Sequence, residues 1–253
     1  MKIKLGLLAL GLALAAHPAP AQIPSDSLTQ AVTAPGRPAD MVAQDANREP
    51  AETLAFFALA PGQTVVDIGA GAGYFTEIVA RAVGPEGRVH ATLPQAMYDG
   101  ETRAALDGVA ARNPNVTLVI GPVTAFEFPA NSVDLVLMSM IYHDAYFVSE
   151  RLGFERQNPR DYLARVFAAL RPGGVVGVVD HVANPGGDTR AVVDALHRID
   201  PAVVRADFEA AGFALDGESD LLRNPADDHR LDVFDPAIRG RTDRFVMRFR
   251  KPA

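Results

Sequence analysis

Residues 62–75, GQTVVDIGAGAGYF, constrain the fold of this chain more than any other stretch. A short β-branched run ends at Asp67, and Gly69, Gly71 and Gly73 follow at alternate positions. Such a run, stopped by glycine, predicts a buried strand. Glycines let the backbone turn sharply and let a ligand approach with no Cβ in the way. Phe75, Ile78, Val79 and Val83 then recur at helical spacing, so a helix leaves the turn with its N-terminus aimed at that ligand. The spacing is G-x-G-x-G, with Tyr74 where a third glycine of G-x-G-x-x-G would stand, and no Gly-Lys-Ser/Thr follows. Both departures disfavour a pyrophosphate ligand. A carboxylate just ahead of the glycines suits a ligand with a positive group.

The pattern continues along the chain. GRVHATL, NVTLVIG, SVDLVLMSM, GVVGVVDH, GFALDGESD and DRFVMRFR read as six further strands. Helical patterning fills 38–59, with a break at Pro50, then 101–112, 159–174, 188–197 and 201–211. The helix PRDYLARVFAALRPGG is expected to end on its glycines. In DRFVMRFR, Phe245, Met247 and Phe249 alternate with Val246, Arg248 and Arg250, which predicts one buried face. Apolar strands alternating with helices predict a doubly wound α/β fold, Rossmann-like, with seven strands, mostly parallel and ending antiparallel. One composition regime and no repeat predict a single domain over 38–253.

The first residues are of another kind. Lys2 and Lys4 precede an apolar run, Leu5 to Ala16, and Ala19-Pro20-Ala21 offers a small-residue cleavage site before Gln22. The run is too short to span a bilayer, so 1–21 reads as a signal peptide and the protein as periplasmic or secreted, with no membrane anchor after cleavage. Residues 22–37, rich in Ser, Thr, Pro and Ala, read as a flexible leader. The chain carries 31 acidic against 24 basic residues, a net charge of −7, which disfavours a nucleic-acid partner. There is no cysteine, so neither disulfides nor thiolate catalysis enter.

As a set, D-x-G-x-G-x-G at 67–73, NSVDLVLMSMIYHD and FAALRPGGVVGVVD resemble the class I S-adenosylmethionine-dependent methyltransferases. RPADMVAQDANREPAETLAFFAL and GESDLLRNPADDHRLDVFDPAIRGRTDRF look like a narrower family of exported bacterial methyltransferases whose substrate is unsettled. The resemblance implies methyl transfer from S-adenosylmethionine to a small molecule, with Asp67, Gly69, Gly71, Gly73 and Tyr74 at the cofactor. Two positions depart from the broad pattern. Leu93 stands where an acid holds the ribose hydroxyls, with Asp99 six residues on. Pro122 stands where an Asp meets the adenine, with Glu127 further on. Without such contacts the alternatives are a non-catalytic small-ligand-binding protein on the same fold and a related metal-assisted enzyme.

In open α/β sheets ligands lie outside the carboxyl ends of the strands. Tyr142-His143-Asp144 follows the fourth strand and Asp180-His181 ends the fifth. Histidine is the side chain poised to exchange protons near neutral pH. His143 or His181 is therefore the candidate base, Asp144 and Asp180 the orienting groups, and Tyr142 a substrate contact. No H-E-x-x-H occurs, so no metal ligand is assigned. Arg223, in LLRNPADDH, is a candidate for binding an anionic substrate if that segment forms a lid; otherwise it is a structural loop. Asp45 and Arg48, three apart, are expected to pair or to close over the cofactor.

Overall fold

The computed structural model describes residues 25–121 and 127–253. The segment read as a signal peptide, 1–21, and Pro122 lie outside them. All seven expected strands form one sheet: β1 (Thr64–Ile68), β2 (Arg88–Pro94), β3 (Val116–Gly121), β4 (Val133–Ser139), β5 (Leu170–His181), β6 (Ala214–Ser219) and β7 (Arg244–Arg250). Their order is β3-β2-β1-β4-β5-β7-β6. The five strands β1 to β5 pair in parallel, and β7 runs antiparallel between β5 and β6. The order reverses between β1 and β4, which is where an open α/β sheet forms its ligand crevice. Alternate residues of the central strands feed two cores: Val66, Val136 and Val176 face one side, Val65, Leu135 and Val175 the other.

Helices cover both faces: α1 (Ser25–Thr33), α2 (Ala39–Val42), α3 (Asp45–Arg48), α4 (Pro50–Phe56), α5 (Tyr74–Val83), α6 (Gly100–Arg112), α7 (Pro159–Ala169), α8 (Thr189–Leu196) and α9 (Pro201–Ala210). The stretch read as a flexible leader therefore contains a helix, because Leu28 and Ala31 find a place in the core beside α4 and α5. The run 38–59 breaks as Pro50 dictates, with Glu49 in the left-handed region at φ 41° and the proline opening α4. Helix α7 stops at Ala169, short of the expected glycines, and β5 begins at Leu170. The cause is Pro172, which disfavours α geometry at Arg171. The one-face reading of β7 also fails at its start, where Phe245, Val246 and Met247 are all buried, the first and last in the core on one face of the sheet and Val246 in the core on the other.

Just past α4, Phe57 lays its ring on the middle of β5, where Gly177 leaves room; a Cβ there would fall 2.4 Å from the ring. Among the described residues no helix is long and apolar enough to cross a membrane.

Candidate active site

The glycine loop is tied to its neighbour strand before any ligand arrives. Ala70 donates its N–H to the Thr92 carbonyl at 2.9 Å, and Gly69 donates to Thr92 Oγ1 at 3.3 Å. All three glycines have positive φ: 65°, 54° and 86° at Gly69, Gly71 and Gly73. They do different work. A Cβ on Gly69 would strike the Ile141 side chain at 2.5 Å, and one on Gly73 would strike Val109 at 2.9 Å. Gly71 alone of the three faces open space. Gly73 thus leaves room for the packing of α6, and the wall of the cavity beside Gly71 is formed by its neighbours. Beside Gly71 lies a cavity of about 190 Å³ whose wall includes Asp67, Gly69, Tyr74 and Ser139.

The polar groups of that wall suit a cofactor with a cationic part. Asp67 is buried and takes a 2.6 Å hydrogen bond from Thr76 at Oδ2. Burial raises its pKa to about 6, against the opposing pull of Thr76 and Arg48. A positive ligand would restore the carboxylate. Ser139 Oγ is buried with no hydrogen-bond partner among the described residues, an orphan that a ligand can satisfy. At the position of a ribose-binding acid, Leu93 is buried with Ala91 and Leu106. Asp99 precedes α6 and lines neither this cavity nor its neighbour, and Glu127 is exposed.

A polar knot covers the loop. Arg37 grips Asp45 with two hydrogen bonds of 2.7 Å, and the Tyr74 hydroxyl donates to the same carboxylate at 2.7 Å. Asp45 and Arg48 do not pair with each other. The Arg48 guanidinium instead sits 4.5 Å over the Tyr74 ring.

Past β4 the chain makes a tight corner. Met140 takes a left-handed φ of 56°, which is costly for a side chain of this size, and its N–H reaches the Val179 carbonyl at 2.6 Å. The 3-10 turn Tyr142–Ala145 then fans out three neighbours in different directions. His143 meets Asp180, giving its N–H to Oδ2 at 2.9 Å and holding Nδ1 at 2.8 Å from Oδ1. Asp144 stands 3.4 Å from His143 Nε2. Tyr142 turns inward and donates to Asp207 at 2.8 Å, with its ring against Phe208. It is a core residue and not a substrate contact.

His181, the other candidate base, gives its N–H to Asp180 Oδ1 at 2.8 Å and places Nδ1 2.7 Å from Thr242 Oγ1. His143, Asp144 and His181 line a second cavity of about 610 Å³, which shares Gln44, Arg48, Gly69 and Met140 with the lining of the first. His197 also lines it, 5.8 Å ring to ring from His143, with its buried Nδ1 unpartnered and 3.8 Å from Asp232. Among the described residues no group of three or more His, Cys, Asp and Glu is placed to hold a metal ion.

The two histidines are electrostatic opposites. Burial opposes charge on His143, yet Asp180 and Asp144 outweigh it and raise its pKa to about 9. Burial, with the charges of His143, Arg244 and Arg198, lowers the pKa of His181 to about 3 against the pull of Asp180. Asp144 is pushed up to about 6 by burial and by Asp180. At neutral pH, then, His143 is an imidazolium and His181 a neutral ring.

The depressed pKa of His181 fixes a sign. Between pH 6.5 and 3 the unfolded chain binds a proton there that the folded chain refuses, so this residue's contribution is present above pH 6.5 and lost as pH falls. Asp67 and Asp144, with raised values, act in the opposite sense, so the comparison must be with a variant. Urea unfolding at pH 7 and pH 5 should show the parent losing about 2 kcal/mol more than His181→Gln over that interval. Equal losses would show that His181 titrates normally.

The segment after β6 is anchored as well as lining. Arg198, fully buried, holds Asp227 at 2.9 Å, while Arg223 binds Asp243 at 2.8 Å and 3.0 Å. Arg223 is therefore a latch outside both cavities and not a substrate contact. The same segment brings Val233, Phe234 and Arg239 to the larger cavity.

Residues 65–174 match the family described as "Methyltransferase domain". An arsenite methyltransferase of Halobacterium salinarum is 33% identical over 129 residues, which is 51% of this chain but 29% of that protein's length. A SAM-dependent methyltransferase from Aquifex aeolicus superposes with a TM-score of 0.57 at 18% identity, covering 85% of this chain and 99% of that one. The [4+2]-cyclase SpnF gives 0.59 at 18% identity over 83% and 82% of the two chains. An arsenic(III) S-adenosylmethionine methyltransferase from Chlamydomonas reinhardtii gives 0.55 at 14% identity over 93% and 75%. At these identities the superpositions speak for the fold, and a cyclase among them shows that the fold alone does not fix the reaction. Residues 65–174 are thus similar to a methyltransferase domain, and the chain shares its fold with a SAM-dependent methyltransferase.

Proposed function

We propose that this chain transfers a methyl group from S-adenosylmethionine to a small molecule, and that it does so outside the cytoplasm. One observation carries the first part. A glycine-lipped cavity with a buried carboxylate and an unpartnered serine shares Gly69 and Met140 with a second cavity lined by one charged and one neutral histidine. Asp67, Gly71 and Ser139 would hold the cofactor. When bound, S-adenosylmethionine supplies a methyl group on a positively charged sulfur.

The chain's own residues position the acceptor and manage its proton. Asp180 holds His143 at its backbone N–H and at ring Nδ1, which sets the orientation of the ring. Among the described residues the Nε2 of His181 makes no hydrogen bond, which leaves it for the cavity. A ring so weakly basic suits an acceptor that has already lost its proton, and the cationic His143 steadies such a group. Much of the rate would then come from orientation in a closed pocket.

The test is cofactor binding by calorimetry. Gly71→Val adds a side chain where nothing stands within 4 Å, and a left-handed φ of 54° there costs about 1–2 kcal/mol. The variant is expected to stay folded while losing at least tenfold in affinity for S-adenosylmethionine, and Asp67→Ala should lose as much. No binding of the parent chain at millimolar S-adenosylmethionine would overturn the reading. The export half rests on Lys2, Lys4, the Leu5–Ala16 run and Ala19-Pro20-Ala21. In a bacterial host with intact secretion, N-terminal sequencing of the extracytoplasmic protein should begin at Gln22; an intact Met1 in the cytoplasm would refute it.

A further inference from the structure

The larger cavity collects positive charge in a chain whose net charge is −7. Arg48, Arg239 and Arg244 all line it, against Asp144 as its one lining carboxylate. Arg244 is 6% exposed, and no carboxylate lies within salt-bridge distance of it among the described residues. Its Nη2 donates to the Asn47 carbonyl at 2.5 Å and its Nε makes a long contact with the Thr242 carbonyl at 3.4 Å; Nη1 has no partner among the described residues. After burial, the strongest influence on Arg244 is another cation, Arg48, and against the weaker pull of Asp243 they lower its pKa to about 10. Arg48 likewise makes no ion pair, though Asp67 and Asp45 lie near enough to favour its charge.

Buried cations are expensive unless paired, and a planar guanidinium matches a carboxylate in a bidentate way. Of the three buried arginines among the described residues, Arg37 has Asp45 and Arg198 has Asp227, and Arg244 is the exception. The half-buried Arg48, also without an ion pair, lines the same cavity. Beside its polar groups the cavity has an apolar wall that includes Phe147, Phe154, Phe234 and Ile141.

We propose that the acceptor is a small organic carboxylate, its anionic end received by Arg244 and Arg48 and its apolar body lying against Phe147, Phe154 and Phe234. This rests on the methyl-transfer reading for the word acceptor, but the docking itself does not. Two sources of carboxylate must be told apart, since the cofactor carries one of its own. Arg48 lines both cavities, whereas Arg244 lines only the larger. Arg244 is therefore assigned to the acceptor.

The experiment is calorimetric titration of the whole chain at pH 7 with saturating S-adenosylhomocysteine. The probes are benzoate, 4-hydroxybenzoate, phenylacetate and indole-3-acetate, each against its amide. At least one acid is expected to bind ten times more tightly than its amide, and Arg244→Gln should bring the two level while leaving S-adenosylhomocysteine affinity unchanged. Acids and amides binding alike, or no probe binding to a chain that does bind S-adenosylhomocysteine, would overturn the proposal. So would a loss of S-adenosylhomocysteine affinity in Arg244→Gln with 5′-methylthioadenosine unaffected, because Arg244 would then serve the cofactor's carboxylate. If acids bind with the expected preference but S-adenosylhomocysteine does not, the docking stands and the methyl-transfer reading falls. The acid-to-amide ratio of the parent chain decides the matter even if the variant fails to fold.

Discussion

Replacing Asp180 with alanine is expected to destabilise the chain by about 3–5 kcal/mol, the range seen when one partner of a buried ion pair is removed. Asp180 is fully buried, and three donors converge on it: His143 Nδ1, His143 N–H and His181 N–H. The alanine variant leaves two amides without an acceptor and an imidazolium without its counter-ion. His143 should then give up its proton, since burial, the largest influence on it, is opposed only by the weaker pull of Asp144 once Asp180 has gone. Two readouts follow. Urea unfolding at pH 7 measures the loss of stability, and NMR titration of His143 should show its midpoint falling from about 9 to below 7. A loss under about 1 kcal/mol with an unmoved His143 would mean that the network is not formed as described.

The second large effect lies on the sheet. Gly177→Ala places a methyl group 2.4 Å from the Phe57 ring, near the base of the ring, so the whole side chain must shift. Overpacking of this kind costs about 1–3 kcal/mol and at times more. Phe57→Ala alone should cost about 3–5 kcal/mol through the cavity it leaves under α4. In the double variant the added methyl enters space the ring has vacated, so the combined loss should fall at least 1 kcal/mol short of the sum. Strict additivity in denaturant unfolding would show that ring and glycine are not in contact. Phe57 ties the segment carrying Gln44 and Arg48 to β5, so loss of its ring should also weaken cofactor binding.

Much of this was legible in the sequence because it rests on local pattern. Seven apolar runs and the spacing of Asp67, Gly69 and Gly71 are properties of contiguous residues, and the strands and the cavity lip appear where the pattern puts them. What failed needed the third dimension. Tyr142, His143 and Asp144 read as one group, but a 3-10 turn sends the tyrosine to Asp207 under the sheet. Arg223 reads as a free cation because its partner Asp243 lies 20 residues on. His197 closes α8 in a left-handed conformation and reads as an ordinary helix end, and its place beside His143 depends on how α8 packs. Arg244 reads as part of a strand with one solvated face. The sequence pattern does not say that β7 slots between two other strands with its first residue against Asn47.

That placement also bears on the order in which the molecule can assemble during synthesis. Strand β6 is made before β7 yet pairs with it alone in the sheet, so the ribosome releases β6 with no neighbour to hold it. Thr242 and Arg244, which complete the larger cavity, come off with that same late strand. A nascent chain stalled before residue 242 would already own its glycine loop and its cofactor cavity while the acceptor's side stood open to water. Cofactor and acceptor sites thus mature at different moments, and only the later one waits for the insertion of β7.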